Sequence, residues 1–264
     1  MSFTREIVLN LKWLLRARRA PVFHCCVQKT ASQWFGRIFR DHLFWQCTRL
    51  CVADPHRDFF WNEQGADALL SSAKGVVVSP VYARAKVFAS NRIHSGGSVF
   101  FVKRDPRDIV VSLFFSTKFS HPSTPAIARA RAELAKLSEQ DGMRAMLQRH
   151  LPWVSDVVAE WSRAEQETAG RIRCFKYEDL FGERQKETFA ALMQHCDLHI
   201  ADDALYALLD KHSFRAITGR AQGQGVQSSH FRKGTSGEWR EHFTDDDIRN
   251  VDAAIARKLR ASGY

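Results

Sequence analysis

The sequence predicts an α/β fold in three layers, a central parallel sheet flanked by helices, forming a single domain over residues 1–264. Three observations carry this. Short apolar runs alternate along the chain with stretches whose apolar residues recur at helical spacing. Two of those runs end in polar, anion-binding residues that lead into a helical pattern, which is how sheet proteins hold phosphorylated ligands at their strand ends. The chain of 264 residues is long enough to bury one large core, and no internal repeat or linker divides it.

The elements follow in order. Ile7 to Leu15 is apolar but interrupted by Lys12 and followed by Arg16, Arg18 and Arg19. It falls short of the roughly 20 apolar residues of a membrane span. Residues 1–20 therefore read as a basic amphipathic segment packed on the domain, with peripheral membrane contact as the alternative. Val22 to Val27 is a continuous apolar run, as a parallel strand buried on both faces requires. From Ser32 to Phe44, Trp34, Phe35, Ile38, Phe39 and Leu43 keep helical spacing. Gly75 to Ser79 is a second strand, and Ser98 to Val102 a third. The third feeds a helix over 106–117 with Pro106 in its first turn. Residues 123–161 are mostly helical, and Arg171 to Tyr177 is a fourth strand. Helices follow at 185–196 and 203–211, then a Gly/Gln/Ser-rich loop from Gly219 to Gly237, and a closing helix over 245–261.

Hydrophobic residues make up 45% and charged residues 26%, ordinary for a soluble globular protein. The balance of 39 Lys+Arg against 29 Asp+Glu gives +10. That surplus suits an anionic ligand or partner: a nucleotide, a nucleic acid, an acidic glycan or a membrane surface. The six cysteines show no CxxC pair and no zinc-ligand spacing, so reduced thiols in a cytoplasmic protein are expected.

The chemistry concentrates in three stretches. After the first strand, Lys29 brings a fixed charge, and Thr30, Ser32 and the N–H groups opening the next helix can ring a phosphate. This is not the GxxxxGK[ST] loop, which disfavours an ordinary ATP or GTP site. Arg104 ends the third strand, where a buried guanidinium needs a carboxylate or phosphate partner, with Asp108 as one candidate. Ser112 follows two helical turns later. Arg232 and Lys233 lie beside Gly234 in the C-terminal loop and suit a flap over a second phosphate.

These stretches resemble the soluble sulfotransferases that use 3′-phosphoadenosine-5′-phosphosulfate (PAPS). Lys29-Thr30-Ala31-Ser32-Gln33-Trp34 is similar to their K-[ST]-G-T-[TS]-W, Arg104 to Ser112 to R-[DN]-P-[RK]-D-x-x-x-S, and Arg232 to Trp239 to R-K-G-x-x-G-[DE]-W. Tyr177-Glu178-Asp179-Leu180 and Ser213-Phe214 are weaker matches in the right order. The resemblance spans roughly residues 20–250 and implies a P-loop-NTPase-like fold. It implies that Lys29, Thr30, Ala31, Ser32 and Gln33 wrap the 5′-phosphosulfate, that Trp34, Tyr177 and Phe214 hold the adenine, and that Arg104, Ser112, Arg232, Lys233 and Gly234 bind the 3′-phosphate. It further implies that Lys29 stabilises the bridging oxygen during in-line sulfuryl transfer, that Ser112 can engage this lysine before an acceptor arrives, and that adenosine 3′,5′-bisphosphate (PAP) is the product. No metal is expected.

Two departures stand out. Ala31 replaces the usual glycine, which is compatible with binding if the backbone there is helical. Many members carry a histidine just after the second strand, where this chain reads Val77-Val78-Ser79-Pro80-Val81-Tyr82. His24, His94, His121 and His230 are then the histidine candidates for general base, with His121 favoured, and Asp54, His56 and Glu63 are further ones. Phe59, Phe60 and Trp61 are candidates to stack on the acceptor, which is a small molecule, lipid or glycan rather than a nucleic acid. The rival readings are a sulfotransferase-like nucleotide binder without catalysis and a P-loop-like kinase. A nucleic-acid-binding protein would explain the charge but not the strand-end motifs.

Overall fold

The computed structural model describes residues 19–55, 74–89, 97–229, 231–249 and 253–264. Residues 1–18 of the basic N-terminal segment, His56, Phe59, Phe60, Trp61, Glu63, His94 and His230 lie outside these residues. The chain forms two compact units, Met1–Val102 with Arg163–His212 and Lys103–Ser162 with Ser213–Tyr264.

The first unit is built on a five-stranded parallel sheet in the order β2-β3-β1-β4-β5, with β1 Val22–Cys26, β2 Cys51–Ala53, β3 Val76–Val81, β4 Ser98–Lys103 and β5 Ile172–Lys176. β1 lies between β3 and β4, so both of its backbone edges are paired and all five of its side chains are buried. That explains its unbroken apolar run. β3 extends two residues beyond the expected strand. Phe23 pairs with Val78 but Cys25 with Val81, so three residues of β3 span two of β1. The surplus falls at Ser79-Pro80, where proline has no N–H to give the ladder.

The expected helix from Ser32 to Phe44 is two helices, α1 Ser32–Phe39 and α2 His42–Thr48. Asp41 breaks it by capping α2, its carboxylate accepting from Leu43 N–H at 2.9 Å. Asp41 also receives Lys211 Nζ at 2.7 Å and His212 Nε2 at 2.8 Å, and these bonds outweigh its burial and hold its carboxyl below the usual range. α3 Ala85–Ala89, α7 Tyr177–Leu180, α8 Gln185–His195 and α9 Asp202–Lys211 complete the unit's described helices.

The second unit begins where β4 ends. α4 Pro106–Phe115 is capped by Asp105 and has proline in its first turn, as expected, and it widens into a π-helical turn over Ser116–Ser120. α5 Pro125–Leu134 and the 29-residue α6 Glu139–Glu167 follow, the last turn of α6 belonging to the first unit. α10 Phe214–Thr218, α11 Trp239–His242, α12 Asp245–Arg249 and α13 Ala253–Ala261 are the remaining described helices.

Candidate functional site

In the first unit, β1 ends at Cys26 and the backbone turns before α1. Lys29 (φ 70) and Ala31 (φ 65) are left-handed, while Thr30 between them is not. Alternating hand turns successive N–H groups toward one side, the geometry of an anion-binding concavity. Thr30 is fully buried, and its hydroxyl ties the loop down by donating to the Val27 carbonyl at 2.8 Å. α1 then opens with no side-chain cap. Its first-turn N–H groups and the positive end of the helix are thereby disposed toward an anion. The sequence allowed Ala31 a helical backbone; the structure gives it the left-handed form that glycine adopts without strain.

Tyr82, just past β3, sits over the start of α1 and donates its hydroxyl to Ser32 Oγ at 3.0 Å. Burial, reinforced by the Cys26 thiol and opposed by that hydrogen bond, pushes its phenol up to about 12, so it is a donor at neutral pH. No periodicity or motif in the sequence marks Tyr82, whose partner Ser32 is distant in the chain.

The two adenine candidates of this unit meet through a residue the sequence did not single out. Trp34 packs edge-on to Phe181 at 4.7 Å, and Phe181 stacks on Tyr177 at 4.4 Å. Trp34 also meets Phe35 and Phe189 and donates its indole N–H to the His212 carbonyl at 2.7 Å. It is therefore part of the core.

In the second unit, three segments converge. Arg104 is buried; one guanidinium nitrogen donates to the Thr235 carbonyl at 3.3 Å and lies 4.0 Å from Asp108. Arg107 pairs with Asp105 at 2.7 Å and lays its guanidinium on the Trp239 ring, 3.8 Å from the centroid. Arg232 forms a two-pronged pair with Glu238 and covers the Phe115 ring at 4.2 Å. Lys233 pairs with Glu241 at 2.7 Å. Glu238 is buried, yet the hydrogen bonds from His242 and Arg232 and the charges of Arg232 and Lys233 outweigh that desolvation and hold its carboxyl down to about 2.

Phe214 and Gly234 also meet. A Cβ on Gly234 would lie 2.6 Å from the Phe214 ring, and Gly234 has φ +70, so both space and backbone require glycine. Arg220 organises the loop ahead of them, donating to the Gln224, Phe231 and Arg232 carbonyls. Its role left no sequence signal beyond an arginine in a glycine-rich segment. Ser112 is half-buried on α4.

The histidine candidates separate clearly. His24 is fully buried, stacked on Phe100 at 4.9 Å with Nδ1 2.8 Å from Ser79 Oγ, and desolvation lowers it to about 3. A ring sealed into the sheet cannot take a proton from an acceptor, which removes His24 from the candidate bases. His121 lies just past the π-helical turn, and its Nδ1 donates to the Pro122 carbonyl at 3.0 Å, leaving Nε2 as the nitrogen able to accept. Asp54 pairs with Arg40 at 3.2 Å.

Residues 83–263 match the sulfotransferase domain family. The chain belongs to the sulfotransferase family. Two solved structures share its fold. Mouse sulfotransferase SULT7A1 complexed with PAP is 17% identical with a TM-score of 0.63, over 96% of this chain and 89% of that one. Retinol dehydratase in complex with androsterone and inactive cofactor PAP is 15% identical with a TM-score of 0.59, over 95% and 82%. The parallel sheet flanked by helices is thus the P-loop-NTPase-like sulfotransferase fold. The match to the sulfotransferase family begins at residue 83, so the Lys29 to Trp34 motif rests on its own sequence and geometry. Among the described residues no helix is long and apolar enough to cross a membrane.

Proposed function

We propose that this protein is an enzyme that transfers a sulfuryl group from PAPS to a hydroxyl or amine of a small-molecule, lipid or glycan acceptor. The observation that carries the reading is the loop after β1, where left-handed Lys29 and Ala31 curl the backbone ahead of a helix with no side-chain cap. Such a cradle, with a lysine in it, suits a phosphosulfate.

When bound, PAPS supplies a sulfur that the acceptor attacks in line as the bond to the bridging oxygen breaks and PAP departs. The Lys29 ammonium is assigned to that oxygen, where negative charge grows, so its stabilisation is greater in the transition state than in the ground state. Thr30 to Gln33 would hold the 5′-phosphosulfate through backbone N–H groups and the Ser32 hydroxyl. Tyr82, protonated at neutral pH, orients Ser32 through its hydroxyl. Trp34, Tyr177 and Phe214 are assigned to the adenine, and Arg104, Ser112, Arg232, Lys233 and Gly234 to the 3′-phosphate. His121 Nε2 is the candidate to take the acceptor's proton.

Calorimetric titration of PAP, 5′-AMP and ATP into wild type and Arg104→Ala tests the reading. A strong preference for PAP that disappears in the variant supports it, because removing one partner of a buried charged contact loses several kcal/mol. Equal binding of the three nucleotides, or tighter ATP binding, overturns it and favours a kinase.

A further inference from the structure

We propose that Asp108 is the positioning residue for 3′-phosphate selectivity, presetting the Arg232-Lys233-Gly234 loop by gripping the backbone just beyond it. This inference rests on the PAPS reading. Asp108 lies on the first turn of α4, and its side chain is fully buried. One carboxylate oxygen accepts from Gly237 N–H at 2.6 Å, and the other from Trp239 N–H at 2.9 Å. The same carboxylate lies 4.0 Å from the Arg104 guanidinium, which itself reaches the Thr235 carbonyl. Three points of the C-terminal segment, at residues 235, 237 and 239, are thus fastened to the strand end that carries Arg104.

What is fastened bears directly on the two cations of the loop. Glu238, the partner of Arg232, lies between the two N–H groups that Asp108 holds. The position of Asp108 therefore fixes Glu238, and Glu238 fixes the direction of Arg232. Gly234 turns the chain against Phe214 two residues after Arg232. Among the groups assigned to the nucleotide, the Asp108 side chain lies against Arg104, so it acts through them. It also completes a physical link between motifs about 130 residues apart, which accounts for an aspartate at this place rather than a simple helix former.

Asp108→Asn keeps the shape but sets an amide N–H₂ against one of the two backbone N–H donors. The experiment compares PAP and 5′-AMP affinities of the full chain by calorimetry for wild type and Asp108→Asn. The expected result is a loss of roughly tenfold or more in the preference for PAP, in line with a charged hydrogen bond replaced by a donor clash, while 5′-AMP binding changes little. A merely structural role would weaken both nucleotides together and leave their ratio unchanged, which would overturn the inference. Amide hydrogen exchange of Gly237 and Trp239 in the unliganded wild type adds a measurement that needs no variant. Slow exchange supports a preset loop, and exchange at the rate of open chain overturns it. A wild type that does not distinguish PAP from 5′-AMP overturns the PAPS reading and this inference with it, whereas a discriminating wild type and an equally discriminating variant overturn this inference alone.

Discussion

His24 makes the stability of the sheet depend on pH in a calculable way. Its ring is sealed among Phe35, Phe39 and Phe100, and its imidazole is lowered from 6.5 to about 3 by desolvation. The unfolded chain therefore binds a proton at this residue more readily than the folded one does. Stability is complete above the unfolded value and is lost as the pH falls toward the folded one. Between pH 8 and pH 5 the unfolded imidazole becomes almost fully protonated while the folded ring stays neutral, which removes about 2 kcal/mol of folding free energy. His24→Gln keeps a polar group for Ser79 without a titrating ring. Urea unfolding of both proteins across that range isolates the effect, since carboxylates such as Asp41 titrate alike in the two and cancel in the difference. The variant should lose about 2 kcal/mol less than wild type on acidification. Parallel curves would refute the argument and show that the folded ring can be protonated.

Ala31→Gly removes a left-handed strain of about 1–2 kcal/mol while adding about 0.4–1 kcal/mol of unfolded-chain entropy, so it should stabilise by up to about 1.6 kcal/mol in urea unfolding. A loss of stability would mean that Ala31 is not left-handed in solution. Asp41→Ala leaves Leu43 N–H uncapped and Lys211 and His212 without their shared carboxylate, and should destabilise by about 2 kcal/mol, read by the same method. Gly234→Ala forces a Cβ into the Phe214 ring from a left-handed backbone. It should weaken PAP binding in calorimetry, and unchanged affinity would show that the ring and loop move apart freely.

The sheet was legible because its strands are buried on both faces and leave unbroken apolar runs, as Val22 to Cys26 and Val76 to Val78 do. β2 escaped notice because three residues, Cys51–Ala53, are too few to show a period. The break between α1 and α2 was also hidden, since Leu43 keeps helical spacing while Asp41 works through a cap that lies off the apolar face. The motifs named the residues assigned to the ligand, yet not those that hold them. Asp108 and Glu238 stood in plain view inside the matched motifs, but their partners are a backbone N–H pair and a guanidinium that only the folded chain brings near. Tyr82 stood in plain view as well, at the end of Val77–Tyr82, but its partner Ser32 is 50 residues away in the chain and only the fold brings the two hydroxyls together.

The fastening of residues 104–108 to residues 235–239 separates two design problems that usually interfere. Closing a flexible loop costs only about 0.6 kcal/mol more for each doubling of its length, so the turns between helices in the stretch joining the two anchors can gain or lose residues cheaply. Segments such as the π-helical turn and the start of α5 lie in that stretch. They can diverge in length and composition while the anchored ends keep the same geometry.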